Sequence, residues 1–231
     1  MSKTFALLPA TAVALLLTAC ADRTVSSVSG PSPTSSALAA ARSGDNLTLH
    51  PDGFGPDSYA AWKAHEGLPD RRGNADQALY FQKMTATSTN AAGVAKITGL
   101  EGQPLSVITG LSWEHRTDGW CGAGAPRWDI IVTDQAGNRG VIFLGCAAAV
   151  HTPGSAANWI RDSYPAGTAI ASLPATGFTP AFNPSDALTI SELLIVFDEG
   201  TDIAVNPGYV FLDNITVNDH VFTSPDDNGA N

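Results

Sequence analysis

The sequence of 231 residues has little positive charge: 12 lysines and arginines stand against 22 aspartates and glutamates, and the net charge is −10. This composition argues against a nucleic-acid-binding protein, which needs a basic surface for the phosphate backbone. Only 15% of the residues are charged and 44% are hydrophobic, so the chain is too apolar to be disordered throughout. Its 22 glycines and 15 prolines interrupt it too often for a protein of long helices.

The sequence also lacks the motifs that mark common enzymes. It has no Gly-x-Ser-x-Gly elbow and no His-Glu-x-x-His zinc motif. Gly122 and Gly124 do not follow a strand into a helix, as a phosphate-binding loop would. Carboxylates are so numerous that no two can be selected as the acid and base of a glycosidase. We therefore expect a binding protein rather than an enzyme.

The N-terminus has the pattern of an export signal. Lys3 precedes an apolar run, Phe5 to Ala19, that is shorter than the roughly 20 residues of a bilayer span and fits a secretory signal peptide. The run ends in Leu17-Thr18-Ala19-Cys20, which resembles the lipobox of bacterial lipoproteins. The resemblance implies cleavage before Cys20 and a lipid on its thiol. Ordinary signal cleavage after Ala21 is the alternative.

The sequence predicts four segments. Residues 1–19 are the signal peptide, and residues 20–45 are the lipidated Cys20 with a disordered Ser/Pro/Ala-rich tether, which has too little apolar surface to fold. Residues 46–224 are the folded domain, and 225–231 are a disordered tail. We expect this chain to be lipid-anchored to a cell membrane and to face the extracytoplasmic side, in the periplasm or at the cell surface.

From residue 46 onward, short β-branched and aromatic runs alternate with Gly, Pro, Asn and Asp, which is typical of an all-β domain. One short helix is predicted around Ser58–Glu66. The predicted strands are Ala78–Thr85, Val94–Thr98, Leu105–Arg116, Arg127–Thr133, Gly140–Cys146, Leu188–Phe197, Tyr209–Val217 and His220–Thr223. Many short strands without alternating helices favour an antiparallel β-sandwich.

The segment from Leu188 to Thr223 resembles the closing strands of jelly-roll domains in extracellular bacterial proteins, carbohydrate-binding modules among them. The resemblance is carried by a strand ending in an acidic turn, Ile195 to Asp202, and by a last strand with an Asp-Asn pair, Val210 to Ile215. Cys121 to Trp128 is similar to a motif of secreted bacterial β-proteins of unassigned function. These resemblances imply a jelly-roll-like β-sandwich.

The cysteines predict one disulfide. If Cys20 takes a lipid, Cys121 and Cys146 remain as a pair in an oxidising compartment. If Asp134 lies opposite Arg139 in the hairpin that follows, Cys146 lies opposite Arg127, where the short link from Cys121 can reach it. A catalytic thiol near His115 is the alternative, and the spacing of these residues fits no standard zinc pattern.

A calcium site is predicted in the C-terminal part, which from residue 186 onward has nine acidic residues and no Lys or Arg. By the period of two, four apolar side chains share the strand face of Asp213: Tyr209, Phe211, Ile215 and Val217. A carboxylate there needs a partner, and Ca²⁺ would serve. The jelly-roll resemblance implies the same, with Asp52 and Asp57 as further ligands. A bulge that turns Asp213 outward and capping by backbone amides are the alternatives.

The predicted ligand surface is the polar loop after the strand that ends at Arg116. Aromatic rings are the usual platforms for the apolar faces of sugars, whereas Trp62, Trp113 and Trp128 are predicted to be core. The residues predicted to contact ligand are His115, Arg116, Asp118, Trp120, Arg127 and Trp159. For each of the two tryptophans in this set, folding over the sandwich edge is the alternative.

These features favour a lipid-anchored binding module of the cell envelope, with an envelope glycan or a protein as its partner. The first alternative is a structural or adaptor lipoprotein that binds a protein through a sheet edge or loop surface. The second alternative is a glycan-acting hydrolase.

Overall fold

The computed structural model describes residues 46–69, 75–165, 170 and 187–228. The predicted signal peptide, Cys20 and the tether up to residue 45 lie outside the described residues, as do the last three residues of the predicted tail. Across the part of the chain that is described, no helix is long and apolar enough to cross a membrane.

The described residues form twelve strands in two antiparallel sheets. The strands are β1 (Thr48–Phe54), β2 (Ser58–Lys63), β3 (Ala78–Lys83), β4 (Ala92–Thr98), β5 (Leu111–Arg116), β6 (Arg127–Thr133), β7 (Arg139–Gly145), β8 (Val150–Pro153), β9 (Trp159–Tyr164), β10 (Thr189–Phe197), β11 (Tyr209–Val217) and β12 (His220–Phe222). One sheet has the order β1-β4-β10-β6-β7, and the other has the order β2-β3-β11-β5-β9-β8 with β12 on β11. The predicted antiparallel β-sandwich is confirmed.

The hydrophobic core lies between the two sheets, as the alternation of buried residues requires. Trp113 of β5 and Trp128 of β6 are fully buried, and their rings stack with centroids 5.1 Å apart. Tyr164 of β9 meets the ring of Trp113 edge-on at 5.0 Å. The sequence-based assignment of Trp113 and Trp128 to the core is confirmed, and Trp62 is partly buried against the same cluster.

The predicted helix around Ser58–Glu66 is wrong, because Ser58–Lys63 is strand β2 and pairs with β3 along its whole length. Its outer side chains, Tyr59 and Lys63 among them, alternate with the buried Ser58 and Ala60, which is the period of a strand. The predicted strand from Leu105 is also shorter than expected. Leu105–Val107 form a 3-10 helix, and β5 begins only at Leu111.

The β6–β7 hairpin is shifted by one residue from the predicted register. The Asp134 side chain accepts the backbone N–H groups of Ala136 and Asn138, which closes the loop over Asp134 to Asn138 and pairs Thr133 with Arg139. Arg127 therefore pairs with Gly145 rather than Cys146.

The predicted disulfide between Cys121 and Cys146 is present despite that shift. The loop after Cys121 lies directly on the end of β7, where a side chain at Gly145 would overlap the carbonyl of Ala123. Cys146 therefore meets Cys121 just beyond the hairpin, in a 3-10 helix that begins at Cys146. Closing a loop of this length contributes about 3.5 kcal/mol on the chain-entropy account.

The ordered domain continues past residue 224, where the disordered tail was predicted to begin. Pro225–Asp227 form a 3-10 helix that Ser224 caps, and Asp227 is buried. Asn228 accepts the backbone N–H of Leu49 in β1, so this end of the chain is tied to the five-stranded sheet.

Candidate functional site

Four aromatic side chains form a patch on the outer face of the seven-stranded sheet: Tyr59 of β2, Tyr80 of β3, and Tyr209 and Phe211 of β11. The Tyr80 ring centroid lies 4.8 Å from that of Phe211, 5.8 Å from that of Tyr59 and 5.9 Å from that of Tyr209. We call these four residues the aromatic platform. The register explains their proximity, because Phe211 is directly opposite Tyr80.

Strand alternation places the aromatic platform on the surface. Phe81, Val210 and Leu212 are fully buried in the core, so their neighbours in sequence point away from it. The three tyrosines of the platform are partly exposed, while Phe211 is 7% exposed and anchors them.

Arg116 extends the aromatic platform across the sheet. Its guanidinium carbon lies 3.7 Å from the ring centroid of Phe211, which is cation–π stacking distance. Nε donates to Asp118 at 2.7 Å, and Nη1 donates to the Glu66 carboxylate at 2.6 Å. Burial alone would raise the pKa of the Asp118 carboxyl, but the hydrogen bonds and charge of Arg116 outweigh it and hold that pKa below its usual range.

A depression of about 350 Å³ lies over the rings. It is lined by Tyr59, Lys63, Glu66, Tyr80, Tyr209 and Phe211. The Lys63 ammonium lies 5.3 Å from the ring centroid of Tyr59 and 5.6 Å from that of Tyr80. Two cations and two anions, Lys63 and Arg116 against Glu66 and Asp118, thus surround the rings with no net charge.

Burial favours the neutral form of two tyrosine hydroxyls of the platform, because it raises the pKa of Tyr80 and the pKa of Tyr209. Burial, together with the nearby Tyr59 and Tyr209, raises the pKa of Tyr80 to about 12. Its hydroxyl donates a hydrogen bond of 2.9 Å to the Gln82 side chain. The surface therefore offers apolar ring faces beside neutral hydroxyls and charged donors and acceptors, an arrangement suited to a molecule with apolar faces and polar edges.

Of the six predicted ligand-contact residues, Arg116 and Asp118 lie at this surface. His115 does not, because it follows Glu114 and precedes Arg116 on β5 and so points to the opposite face. His115 is 5% exposed, and its Nδ1 donates to Asp162 at 2.5 Å. Its predicted contact with ligand is therefore corrected to a place inside the sandwich.

The side chains of Trp120 and Arg127 bind partners outside the aromatic platform, although the backbone N–H of Trp120 donates to the carbonyl of Tyr209 at 2.8 Å. Trp120 is partly buried against the core, and its Nε1 donates to Glu199 at 2.5 Å. Arg127 lies on the five-stranded sheet, where its guanidinium donates to both Asp129 and Asp198. The structure does not bring either side chain to the surface that holds Arg116.

Trp159 lies beneath the surface instead of on it. It is paired with Arg116 in the β5–β9 ladder, and it packs with Leu68 and Phe211 in a small hydrophobic cluster. Because the ring is 4% exposed, it offers no face for a ligand to stack on. Trp159 supports the aromatic platform from one side.

Asp213 is buried, and its carboxylate accepts backbone amides. Oδ2 accepts the N–H of Leu68 at 2.7 Å, and Oδ1 accepts the N–H of Asn214 at 2.6 Å. The β11–β5 pairing shifts after Asp213, and Asn214 has a φ of 45°. This bulge reverses the alternation, so the side chains of Ile215 and Val217 enter the core rather than share the face of Asp213.

The predicted calcium ligands do not assemble into one group. Asp57 precedes β2 at the Lys83 end of β3, whereas Asp213 lies beside the opposite end of that strand. Asp52 is exposed on β1 in the other sheet, where it accepts the N–H of Gly53. Asp52 and Asp57 are therefore corrected to separate surface positions.

Calcium binding by Asp213 itself stays a prediction with a direct test. A bound ion would stabilise the folded chain by about 2.7 kcal/mol when the free calcium concentration is one hundred times the dissociation constant. The melting temperature would rise accordingly. Addition of a chelator should lower the melting temperature, and Asp213→Asn should abolish the response while Asp52→Asn retains it. A melting curve that calcium and chelator leave unchanged would favour the amide-capped carboxylate.

No protein-family model and no curated protein matches this chain. Among solved structures, it is similar to the family 11 carbohydrate-binding module of the cellulosomal cellulase Lic26A-Cel5E of Clostridium thermocellum, with 12% identity over 74% of this chain and 85% of that chain and a TM-score of 0.39. It is also similar to a family 11 module of the same organism in complex with a β-1,3-1,4-mixed-linked tetrasaccharide. The identity is 13% over 74% of this chain and 86% of that chain, and the TM-score is 0.37. The C-terminal family 22 carbohydrate-binding module of Xyn10B of Clostridium thermocellum is similar with 13% identity over 73% of this chain and 81% of that chain and a TM-score of 0.29. The ligand of this chain has to be inferred from its own side chains.

Proposed function

We propose that this chain is a glycan-binding module and that the aromatic platform binds a neutral polysaccharide. The observation that carries the proposal is the set of partly exposed tyrosine rings with a stacked guanidinium on one sheet face. Pyranose rings with equatorial hydroxyls have apolar faces, and these pack on flat aromatic rings. Their hydroxyls then meet the charged groups around the platform.

Charge favours a neutral polymer over an anionic one. The two cations beside the rings, Lys63 and Arg116, are balanced by Glu66 and Asp118, and the whole chain has a net charge of −10. A polyanion approaching this surface is repelled by the field of the protein and finds no excess positive charge. Neutral hexose or pentose polymers meet no such barrier.

The same geometry disfavours the alternative of a glycan hydrolase at this face. A glycosidase needs one carboxyl group with a raised pKa to act as the general acid. Here Arg116 binds both Glu66 and Asp118, and it lowers the pKa of Asp118. These carboxylates are suited to accepting hydrogen bonds and orienting the guanidinium.

Tyr80→Ala is expected to weaken glycan binding about tenfold, because loss of one stacked ring removes about 1 kcal/mol or slightly more. Titration calorimetry with soluble neutral polysaccharides, chosen from a glycan array, measures the change. Phe143→Ala is the matched control, since Phe143 is 49% exposed on the other sheet and lies under the guanidinium of Arg127 at 5.3 Å. Equal losses in the two variants, or no neutral glycan bound by the wild type, would refute the proposal.

We also propose that Cys20 is lipidated, which would hold the glycan-binding domain near a membrane. The support is the lipobox-like Leu17-Thr18-Ala19-Cys20 after a short apolar run. In a bacterial expression host, Cys20→Ser should lose the incorporation of labelled palmitate and leave the membrane fraction. Palmitate labelling of equal strength in the wild type and the variant is the contrary result.

A further inference from the structure

A group of metal-ligating atoms lies on the inner side of the same strand that presents Arg116. His115, Cys121, Cys146 and Asp162 each bring one ligand atom, and these atoms all lie within 4.8 Å of one another. Cys146 Sγ is 4.0 Å from His115 Nδ1 and 3.4 Å from Asp162 Oδ2. His115, Cys146 and Asp162 are buried, and Cys121 is partly exposed at the edge of the group.

We propose that reduction of the Cys121–Cys146 disulfide creates a zinc site formed by these two thiolates, the imidazole of His115 and the carboxylate of Asp162. Two sulfurs, one nitrogen and one oxygen are all ligand types that tetrahedral zinc accepts. With bond lengths of about 2.0–2.3 Å, the ligand atoms of such a site are about 3.3–3.8 Å apart. The separations of 3.4 and 4.0 Å from Cys146 Sγ are already near this range. The two sulfurs move apart once their bond is broken, and His115 Nδ1 and Asp162 Oδ2, now 2.5 Å apart, also have to separate to admit the ion.

Hydrogen bonds from neighbouring side chains already fix the orientation of the Asp162 carboxylate, as the hydrogen-bond partners of a metal ligand do. Trp113 Nε1 donates to Asp162 Oδ2 at 2.7 Å, and His151 Nδ1 donates to Asp162 Oδ1 at 2.7 Å. Such partners fix the direction of a ligating group and raise its affinity for the metal. Asp162 is fully buried by them, while the side chain of His151 is 41% exposed.

The disulfide and the zinc-bound dithiolate exclude each other, because both use the same two sulfur atoms. A phosphine or dithiol reductant supplies two electrons and is itself oxidised, and the disulfide takes up two protons as it becomes two thiols. Zinc binding then displaces those two protons, because thiolates are the ligands. The proton that His115 Nδ1 now donates to Asp162 moves to Nε2, which frees Nδ1 to bind zinc. Zinc thereby replaces the covalent cross-link between the same two sulfur atoms.

The test uses the full chain in a Cys20→Ser background, which removes the third thiol. The protein is reduced with a phosphine and titrated with Zn²⁺ against a chromogenic chelator, and with Co²⁺ by absorption spectroscopy. We expect one equivalent bound to the reduced protein, with thiolate charge-transfer and tetrahedral cobalt bands, and affinity at least about 100-fold lower in the oxidised protein.

Three variants separate this site from adventitious binding. His115→Asn keeps a hydrogen bond to Asp162 but removes the imidazole ligand, and we expect an affinity loss of about 100-fold. His151→Ala removes one partner of Asp162, and we expect a loss of about tenfold. His50→Asn, on the exposed face of β1, is the matched control and should change nothing.

The melting temperature gives an independent readout. Zinc should raise it in the reduced protein and leave it unchanged in the oxidised protein. If reduction alone unfolds the chain, refolding on addition of zinc supports the site, and failure to refold overturns it. A folded, reduced protein that binds no zinc, or binds it equally well with His115→Asn, also overturns the proposal.

Discussion

Replacing Trp120 by alanine is expected to lower the free energy of unfolding by about 3 kcal/mol, as removal of a large aromatic side chain from a packed site does. The indole ring packs against the core, and its Nε1 donates to Glu199 at 2.5 Å. The same carboxylate accepts the backbone N–H groups of Gly124 and Ala125, so loss of the ring also loosens the loop that follows Cys121. Equilibrium unfolding in urea measures the effect.

Trp120→Phe is the control for this prediction. It retains most of the packed ring and loses only the donation to Glu199, which should cost about 1 kcal/mol. Glycan affinity should change far less in Trp120→Ala than in Tyr80→Ala. The opposite pattern, with normal stability and lost glycan binding, would return Trp120 to the ligand surface.

The strands that sequence reasoning placed best are those whose pattern is local and unambiguous. Arg127–Thr133 and Tyr209–Val217 have the predicted bounds, because each is a β-branched and aromatic run between turn-forming residues. The segment from Ser58 is only six residues long and contains two alanines, so its composition suits a helix as well as a strand. Pairing with β3 decides between them, and the sequence alone does not show that partner.

Arg116 and Asp118 were predictable parts of the candidate site, because they are close together in sequence. Arg116 and Asp118 are two residues apart at the end of one strand, so a single loop brings them together. Tyr59, Tyr80 and Tyr209 come from three separate strands, and only the sheet order makes them neighbours. One signal was available: Tyr209 and Phe211 alternate with Val210 and Leu212, which marks two aromatic residues on one face of a strand.

Strand β5 links the two proposed sites through its alternation. The Arg116 side chain projects from the outer face of β5 and stacks on Phe211. The His115 side chain projects from the inner face and donates to Asp162. The neighbouring strand β9 does the same with Trp159 on the outside and Asp162 on the inside. The proposed glycan binding and the proposed zinc binding can therefore be tested separately by substitutions on opposite faces of the same strands.

Asp162→Ala is expected to produce the largest loss of stability, about 4 kcal/mol, because buried hydrogen-bond donors lose their acceptor. The carboxylate is fully buried and accepts hydrogen bonds from Trp113 Nε1, His115 Nδ1 and His151 Nδ1. Removing it leaves the Trp113 and His115 donors in the core without an acceptor, and each such group costs about 1–3 kcal/mol.

Two comparisons test whether burial is the cause. Asp202→Ala is the exposed counterpart, because Asp202 also accepts two hydrogen bonds, both from Thr87, and water can replace it there. Its loss should lower the free energy of unfolding far less than Asp162→Ala does, because water can satisfy the Thr87 donors. His151→Ala removes only the partly exposed donor, so its effect should lie near that of Asp202→Ala. Urea unfolding of the oxidised protein gives all three values. If Asp162→Ala costs no more than Asp202→Ala, water reaches the donors around Asp162, and the carboxylate does not hold β5 and β9 together.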